Sequence, residues 1–341
     1  MQARAFITGL AEAAITPEEH AFLLEAQPWG LILFKRNIDT ASQVTALVAS
    51  FRDLVGRADA PVLIDQEGGR VQRMGPPHWP SYPPGAAYGR LYDRDAAKGL
   101  AAARLGARLI ADDLVRVGIT VDCLPVADVP AKGADAVIGD RAYGETPEKV
   151  SALAAAAAAG LADGGVLPVL KHIPGHGRAT ADSHAALPVV TATRAELEAS
   201  DFAAFRPLAG LPLAMTAHVV FSVIDPVSPA TTSAKMIQNV IRDEIGFQGL
   251  LMSDDISMGA LSGSLRDRTR AALAAGCDMA LHCNGRVDEM REVAAESPLL
   301  AGRAARRAET ALAVRHAPKE IDIAAAREQF AALMAEAAVT S

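Results

Sequence analysis

The sequence predicts an α/β fold, a single-domain (β/α)8 TIM barrel, on three observations. Short apolar runs alternate with amphipathic stretches from one end of the chain to the other. Eight such runs lie near residues 4–8, 30–34, 62–66, 120–127, 166–171, 213–218, 250–254 and 278–282. Charged and polar residues gather where several of these runs stop, the place where a barrel keeps its chemistry. A length of 341 residues suits one large barrel or two average domains. A doubly wound open sheet is the competing arrangement.

The intervening stretches read as helices: Thr16 to Glu25, Thr40 to Val55, Asp95 to Val117 and Thr146 to Leu161, then Arg194 to Leu208, Ser233 to Glu244 and Leu265 to Ala275. Thr16-Pro17-Glu18-Glu19 supplies an N-cap, a proline at the first helical position and a Glu three residues past the cap. The segment after the third run, Met74 through Pro80 and on to Gly85, is rich in proline and aromatic residues, so it is expected to cap one rim. The alanines from Ala154 to Ala159 fit a tightly packed helix, alanine being the best helix former. No repeat or domain boundary is visible. One unit over residues 1–341 is expected, with terminal helices after about residue 284, because the 58 residues beyond Cys283 are few for a further domain.

Half of the residues are hydrophobic, which allows a large buried core. The net charge of −7 and the lack of any Lys/Arg-dense stripe argue against nucleic acid as a partner, while an anionic small molecule stays open. The three cysteines, Cys123, Cys277 and Cys283, have no Cys-x-x-Cys spacing and read as reduced core thiols. No leader-like N-terminus and no window of ~20 apolar residues occur, so a cytoplasmic chain without membrane contact is expected. No oligomeric state is legible, and a monomer is the working expectation.

The strand ends carry the chemistry. The third run stops at Asp65-Gln66-Glu67-Gly68-Gly69-Arg70, with Arg73 close behind. The fifth leads into Lys171-His172-Ile173-Pro174-Gly175-His176-Gly177, with Asp182-Ser183-His184 beyond; the sixth ends in His218 and the seventh in Asp254-Asp255. Asp254 is the nucleophile candidate, since a strand-end carboxylate can attack an electrophilic carbon; a helix cap or ion-pair partner is the plainer alternative. Asp255 fits that plainer reading. Asp182 beside His184 suggests a carboxylate supporting an imidazole in general acid and base work. His172, His176, His184 and Asp254 also raise a zinc site. The intervening Pro174, Gly175 and Gly177 keep the histidines off one helical face, so no metal is expected. Arg73, Arg141 and Lys171 offer donors for a ligand, and Asp140 is expected to hold Arg141. Arg70, Arg90 and Arg94 read as solvated surface charges. Gly68-Gly69 lacks a nucleotide-binding spacing, so no cofactor is expected.

Taken together, Ile64-Asp65-Gln66-Glu67-Gly68-Gly69-Arg70-Val71-Gln72-Arg73, the segment from Lys171 to His184, and Leu251-Met252-Ser253-Asp254-Asp255-Ile256-Ser257-Met258 resemble glycoside hydrolase family 3. They are similar in particular to its bacterial cytoplasmic β-N-acetylglucosaminidases of peptidoglycan recycling, and Gly30-Leu31-Ile32-Leu33-Phe34-Lys35-Arg36-Asn37 fits the same group. The resemblance runs from about Phe6 to about Cys283. It implies retaining hydrolysis with Asp254 as nucleophile, His184 as general acid/base and Asp182 as its partner. It implies Asp65, Arg73, Arg141, Lys171 and His172 as contacts to a terminal N-acetylglucosamine. Ile173 stands where the family commonly has an aromatic residue, and Arg178 where an acidic one is common; both flank the acid/base loop.

The resulting expectation is an exo-β-N-acetylglucosaminidase acting on muropeptides that contain 1,6-anhydro-N-acetylmuramic acid, with Arg178 contributing to the anionic part. A phosphorylase using the same residues and a non-catalytic muropeptide-binding sensor are the alternatives.

Overall fold

The computed structural model describes residues 3–183 and 186–338. Eight parallel strands close into a barrel. They are β1 Arg4–Thr8, β2 Pro28–Leu33, β3 Val62–Ile64, β4 Val121–Asp122, β5 Leu167–Ile173, β6 Leu213–Thr216, β7 Leu250–Asp255 and β8 Met279–His282. Each strand pairs with its neighbours in chain order, and β8 returns to β1 through Phe6↔Ala280 and Thr8↔His282. The open sheet is thereby ruled out.

The strands read as continuous apolar runs because both faces are covered. Leu63, Val169, Leu213, Met252 and Leu281 point inward and pack across the barrel. Their neighbours Val62, Ile64, Leu170, Ala214, Leu251 and Ala280 point outward against the helices. The ladder of β4 is shorter than the apolar run because Pro125 has no N–H to donate, though Val126 still bridges to Lys171.

The helices are α1 Pro17–Ala26, α2 Ala41–Val55, α3 Gly85–Arg94, α4 Ala96–Val115, α5 Pro147–Asp163, α6 Arg194–Ala199, α7 Asp201–Phe205, α8 Leu265–Ala275, α9 Val287–Glu296, α10 Gly302–Ala313 and α11 Ile323–Ala338, with a wide-turned helical segment at Met236–Glu244. Thr16 and Glu19 form the expected reciprocal cap on α1. Two readings differ from the sequence expectation. Helix α3 was not foreseen within the proline-rich insertion. The stretch from Arg194 to Leu208 is broken at Ser200, and Pro207 bars a continuous helix through its missing N–H. The stretch from Ser233 is helical from Ala234 as expected, with Ser233 Oγ accepting from the Met236 N–H at 3.1 Å, and its wide turns begin at Met236. The alanine run lies in α5, where Ala154, Ala157 and Ala158 are buried.

The insertion between β3 and α3 is ordered by burial of Met74, Trp79 and Tyr82. Helix α10 crosses the N-terminal end of the barrel and places Ala308 and Ala311 against the inward-facing residues. The opposite, C-terminal end is left to loops. Among the described residues no helix is long and apolar enough to cross a membrane.

Candidate active site

Strand periodicity builds the site. Leu63, Val169 and Met252 are inward-facing residues of the barrel interior. The inward positions two residues further on are Asp65, Lys171 and Asp254. The apolar layer therefore gives way to charge within one pleat, at the C-terminal rim.

Five of these rim groups form a chain of alternating charge. Arg73 Nη2 donates to Asp65 Oδ2 at 2.9 Å, and Lys171 Nζ donates to Asp65 Oδ1 at 2.9 Å. Lys171 Nζ also lies 2.6 Å from Glu67 Oε1. Glu67 in turn takes a two-pronged bond from Arg141, Nε to Oε2 at 2.9 Å and Nη2 to Oε1 at 2.8 Å. The Lys171 side chain is only 2% exposed, so an unpaired ammonium there would be untenable. Burial alone would push the Asp65 carboxyl up, but Lys171 and then Arg73 hold it well below the usual carboxylate range. Burial likewise opposes ionisation of Glu67, and Lys171 with Arg141 pulls it down to about 2. Burial would lower Lys171, yet Asp65 and Glu67 raise it above its ordinary value. All three stay charged at neutral pH.

Arg141 is thus held by Glu67, and the expected partner Asp140 instead pairs with Arg70 at 3.0 Å. Arg70 is also more than a surface charge, because it donates to the carbonyls of Ala136, Val137 and Ile138 and fastens the loop that carries Arg141. Gln66 closes the short hairpin Gln66–Gly68/Val71–Gln72 by accepting from the N–H groups of Arg73 and Met74 at 3.0 Å. Gly68, at φ +94°, lets that hairpin press on the Pro83 carbonyl where a Cβ would collide. Phe34 lies between two guanidiniums, with Arg36 4.9 Å and Arg73 5.2 Å from its ring centre.

The segment after β5 is set by Asp128, a buried carboxylate in the loop after β4. Its Oδ2 lies 2.7 Å from His172 Nδ1, and its Oδ1 accepts from the His176 N–H at 2.6 Å. Burial works against the Asp128 charge, but His172 holds the carboxyl below its ordinary value. Gly177 passes so close to the Val129 carbonyl that a Cβ would not fit. His176 is buried and its pKa falls to about 4, through burial first and His172 second. Its Nε2 lies 3.0 Å from Ser183 Oγ, and the Ser183 carbonyl accepts from the Ala260 N–H at 3.1 Å. The residue after Asp182 is therefore anchored both to the β5 segment and to the loop after β7.

Arg178 pairs with buried Asp201 at 2.6 Å, so its charge is already offset. Burial, opposed by Arg178, raises Asp201 to about 6. Asp254 stands one residue before the end of β7, partly exposed, and one of its oxygens accepts from the Asp255 N–H at 2.8 Å. Asp255 is structural, taking Ser257 Oγ at 2.7 Å and the Cys283 N–H at 3.2 Å. His218 Nδ1 lies 2.6 Å from Thr231 Oγ1 and Nε2 lies 3.0 Å from the Asp255 carbonyl, tying β6 to the end of β7. Cys123 and Cys277 are buried free thiols as expected, whereas Cys283 is only partly buried.

Asp65, Arg73, Arg141 and Lys171 therefore join in one network, and His172 follows Lys171 on β5. Asp182 and Asp254 are described, and His184 lies outside the described residues. Glu67 and Asp128 complete the site and were not foreseen. The signal for Glu67 was its place two residues after Asp65; Asp128 sat at the end of the apolar run of β4. Among the described residues no group of three or more His, Cys, Asp or Glu is arranged to hold a metal ion. A rim of fixed donors and ionised acceptors beside a strand-end carboxylate can bind hydroxyl groups and present a nucleophile.

The comparisons agree with that chemistry. The model of the glycosyl hydrolase family 3 N-terminal domain matches residues 6–309. A beta-hexosaminidase of Alkalilimnicola ehrlichii is 41% identical over 280 residues, 81% of this chain and 79% of that protein. The crystal structure of NagZ from Neisseria gonorrhoeae with N-trifluoroacetyl-D-glucosamine superposes with a TM-score of 0.85 at 32% identity, covering 99% of this chain and 97% of that one. Another structure of NagZ from the same organism, in complex with a zinc ion, gives a TM-score of 0.86 at 33% identity over 98% of this chain and 99% of that one. The chain belongs to glycosyl hydrolase family 3 and is a glycoside hydrolase.

Proposed function

We propose that this protein is a retaining exo-β-N-acetylglucosaminidase that removes a terminal β-linked N-acetylglucosamine from muropeptides containing 1,6-anhydro-N-acetylmuramic acid, in cytoplasmic cell-wall recycling. The observation that carries the sugar-binding half is the chain Arg73–Asp65–Lys171–Glu67–Arg141. Asp65 keeps its negative charge and accepts from sugar hydroxyls, while Arg73, Arg141 and Lys171 donate to sugar oxygens. The likeness to a NagZ crystallised with an N-acyl glucosamine supports an amino sugar at this place.

In the first step the Asp254 carboxylate attacks the anomeric carbon as the bond to the leaving oxygen breaks, and that oxygen takes its proton from the His184 imidazolium. In the second, a water attacks the same carbon, gives its proton to neutral His184 and releases the Asp254 carboxylate. Each displacement inverts the anomeric centre, so the configuration is retained. A histidine acid begins as a cation, and its proton transfer brings no second anion toward Asp254. Asp182 stabilises the imidazolium charge.

The test is release of N-acetylglucosamine from a purified anhydro-muropeptide by wild type and Asp254→Ala, with and without phosphate. Free sugar from wild type alone supports the hydrolase. N-acetylglucosamine 1-phosphate formed with phosphate would make it a phosphorylase, and no turnover under any condition would leave the reading without support.

A further inference from the structure

At the end of the barrel opposite the charged rim, a groove of about 890 Å³ runs between α5, residues 207–212 and α10. That volume lies in the ~300–1,000 Å³ range of small-molecule sites. The starts of three strands border it through Leu167, Pro212 and Gly249. Its walls are apolar and low, with Ala159 and Leu211 half-buried and Val314 left 53% exposed. The small side chains of the α5 alanine run keep it open.

The rim is cationic. Arg303 and Arg306 stand three residues apart on α10, on one face, and Arg315 follows the helix. Their guanidiniums make no hydrogen bond or ion pair with any described residue. Arg307 differs, since it is spent on Asp278 at 3.1 Å and on the Gln248 carbonyl at 3.1 Å. Arg315 also lies near enough to Arg52 to disfavour its charge, so positive potential accumulates here. In a chain of net charge −7, three unpaired arginines around an exposed apolar groove are a local reversal of sign.

We propose that this groove binds a soluble amphiphilic anion: one alkyl or aryl chain carrying a carboxylate or phosphate head. The chain lies on Ala159, Leu211 and Val314, and the head sits among Arg303, Arg306 and Arg315. The site is remote from the sugar pocket, so occupancy of one does not displace the ligand of the other.

Calorimetric titration of the full chain with monomeric dodecyl phosphate tests this, against dodecyl maltoside as the same chain with a neutral head and inorganic phosphate as the head alone. One-to-one binding is expected, at least about tenfold tighter than either control and unchanged by saturating N-acetylglucosamine. Arg303→Gln/Arg306→Gln and the groove-filling Ala159→Phe should each weaken it by about tenfold or more while glycosidase activity stays at the wild-type level. Should Ala159→Phe fail to fold, the arginine variant alone decides. Equal binding of the maltoside, indifference to the arginine variant, or binding of many molecules per chain would overturn the proposal. So would binding confined to anionic phospholipid vesicles, or a dimer that Ala159→Phe disperses, which would assign the groove to a membrane surface or to a second copy.

Discussion

Glu67 Oε1 lies 2.6 Å from Lys171 Nζ and 2.8 Å from Arg141 Nη2, so one buried carboxylate fixes two cations of the barrel rim. Removing its charge leaves Lys171 with Asp65 alone and Arg141 without its two-pronged partner. Glu67→Gln is expected to lower stability by about 3 kcal/mol, the cost of breaking a buried pair from one side. It should also cut kcat/KM by about a hundredfold, mainly through KM, because Lys171 and Arg141, the proposed sugar donors, lose their positions. Glu67→Asp should recover part of the loss. Thermal unfolding and steady-state kinetics on an aryl N-acetylglucosaminide check this, and an unchanged KM in a folded Gln variant would remove Glu67 from the pocket.

Asp254 as nucleophile predicts a covalent intermediate. A slow fluorinated N-acetylglucosaminyl donor should add one sugar mass to the peptide that contains Asp254. Label on another peptide, or equal labelling of Asp254→Ala, would reject the assignment.

His184 as proton donor predicts a dependence on the leaving group. His184→Ala should slow substrates with poor leaving groups by at least about a hundredfold and activated aryl glycosides much less, since only the former need protonation. Equal losses across the series would exclude this role.

The depressed pKa of His176 links stability to pH. Its value falls from 6.5 to about 4 on folding, so the unfolded chain binds the proton more tightly between those limits. The contribution is complete above pH 6.5 and is lost as pH falls toward 4, by roughly 3 kcal/mol in all. Asp201, raised from 3.8 to about 6 chiefly by burial, acts in the opposite direction and gains stability on acidification in much the same window. The wild-type profile alone therefore mixes two signs. The stability difference between wild type and His176→Gln isolates one of them, and it should shrink as pH drops from 6.5 toward 4, read by denaturant titration at each pH. A difference that is flat with pH would show that His176 is not the group responsible.

Independence from a metal is also testable. Exhaustive chelation is expected to leave turnover unchanged, with His172 Nδ1 engaged by Asp128 and His176 Nε2 by Ser183. Activity lost to a chelator and restored by zinc would reverse that expectation, and the zinc complex of the gonococcal NagZ makes the experiment worth doing.

The barrel was legible because its strands are buried on both faces and each is followed by a helix, a pattern that needs no long-range information. The rim was legible for a related reason. An inward apolar residue followed two positions later by Asp or Lys marks the place where a strand leaves the core, as in Leu63/Asp65 and Val169/Lys171. The same period would have exposed Glu67, one step beyond Asp65, had it been followed through the glycine-rich hairpin. Helix ends were less legible: Pro207 stops one helix, and the hidden helix Gly85–Arg94 follows a run of prolines.

The sequence by itself determined the alternation of buried strands with helices, the strand ends that carry charge, and the residue types gathered there, because periodicity and strand-end polarity are local properties of the chain. Closure of the sheet was decided by the tertiary structure, where the last strand pairs with the first. Only the tertiary structure decided which charges meet. Arg141 pairs with Glu67 and not with its chain neighbour Asp140, Asp140 turns to Arg70, and His172 is oriented by Asp128. The physical reason is that an ion pair depends on distance and on exclusion from water, and both are fixed by how strands far apart in the chain are brought round one rim.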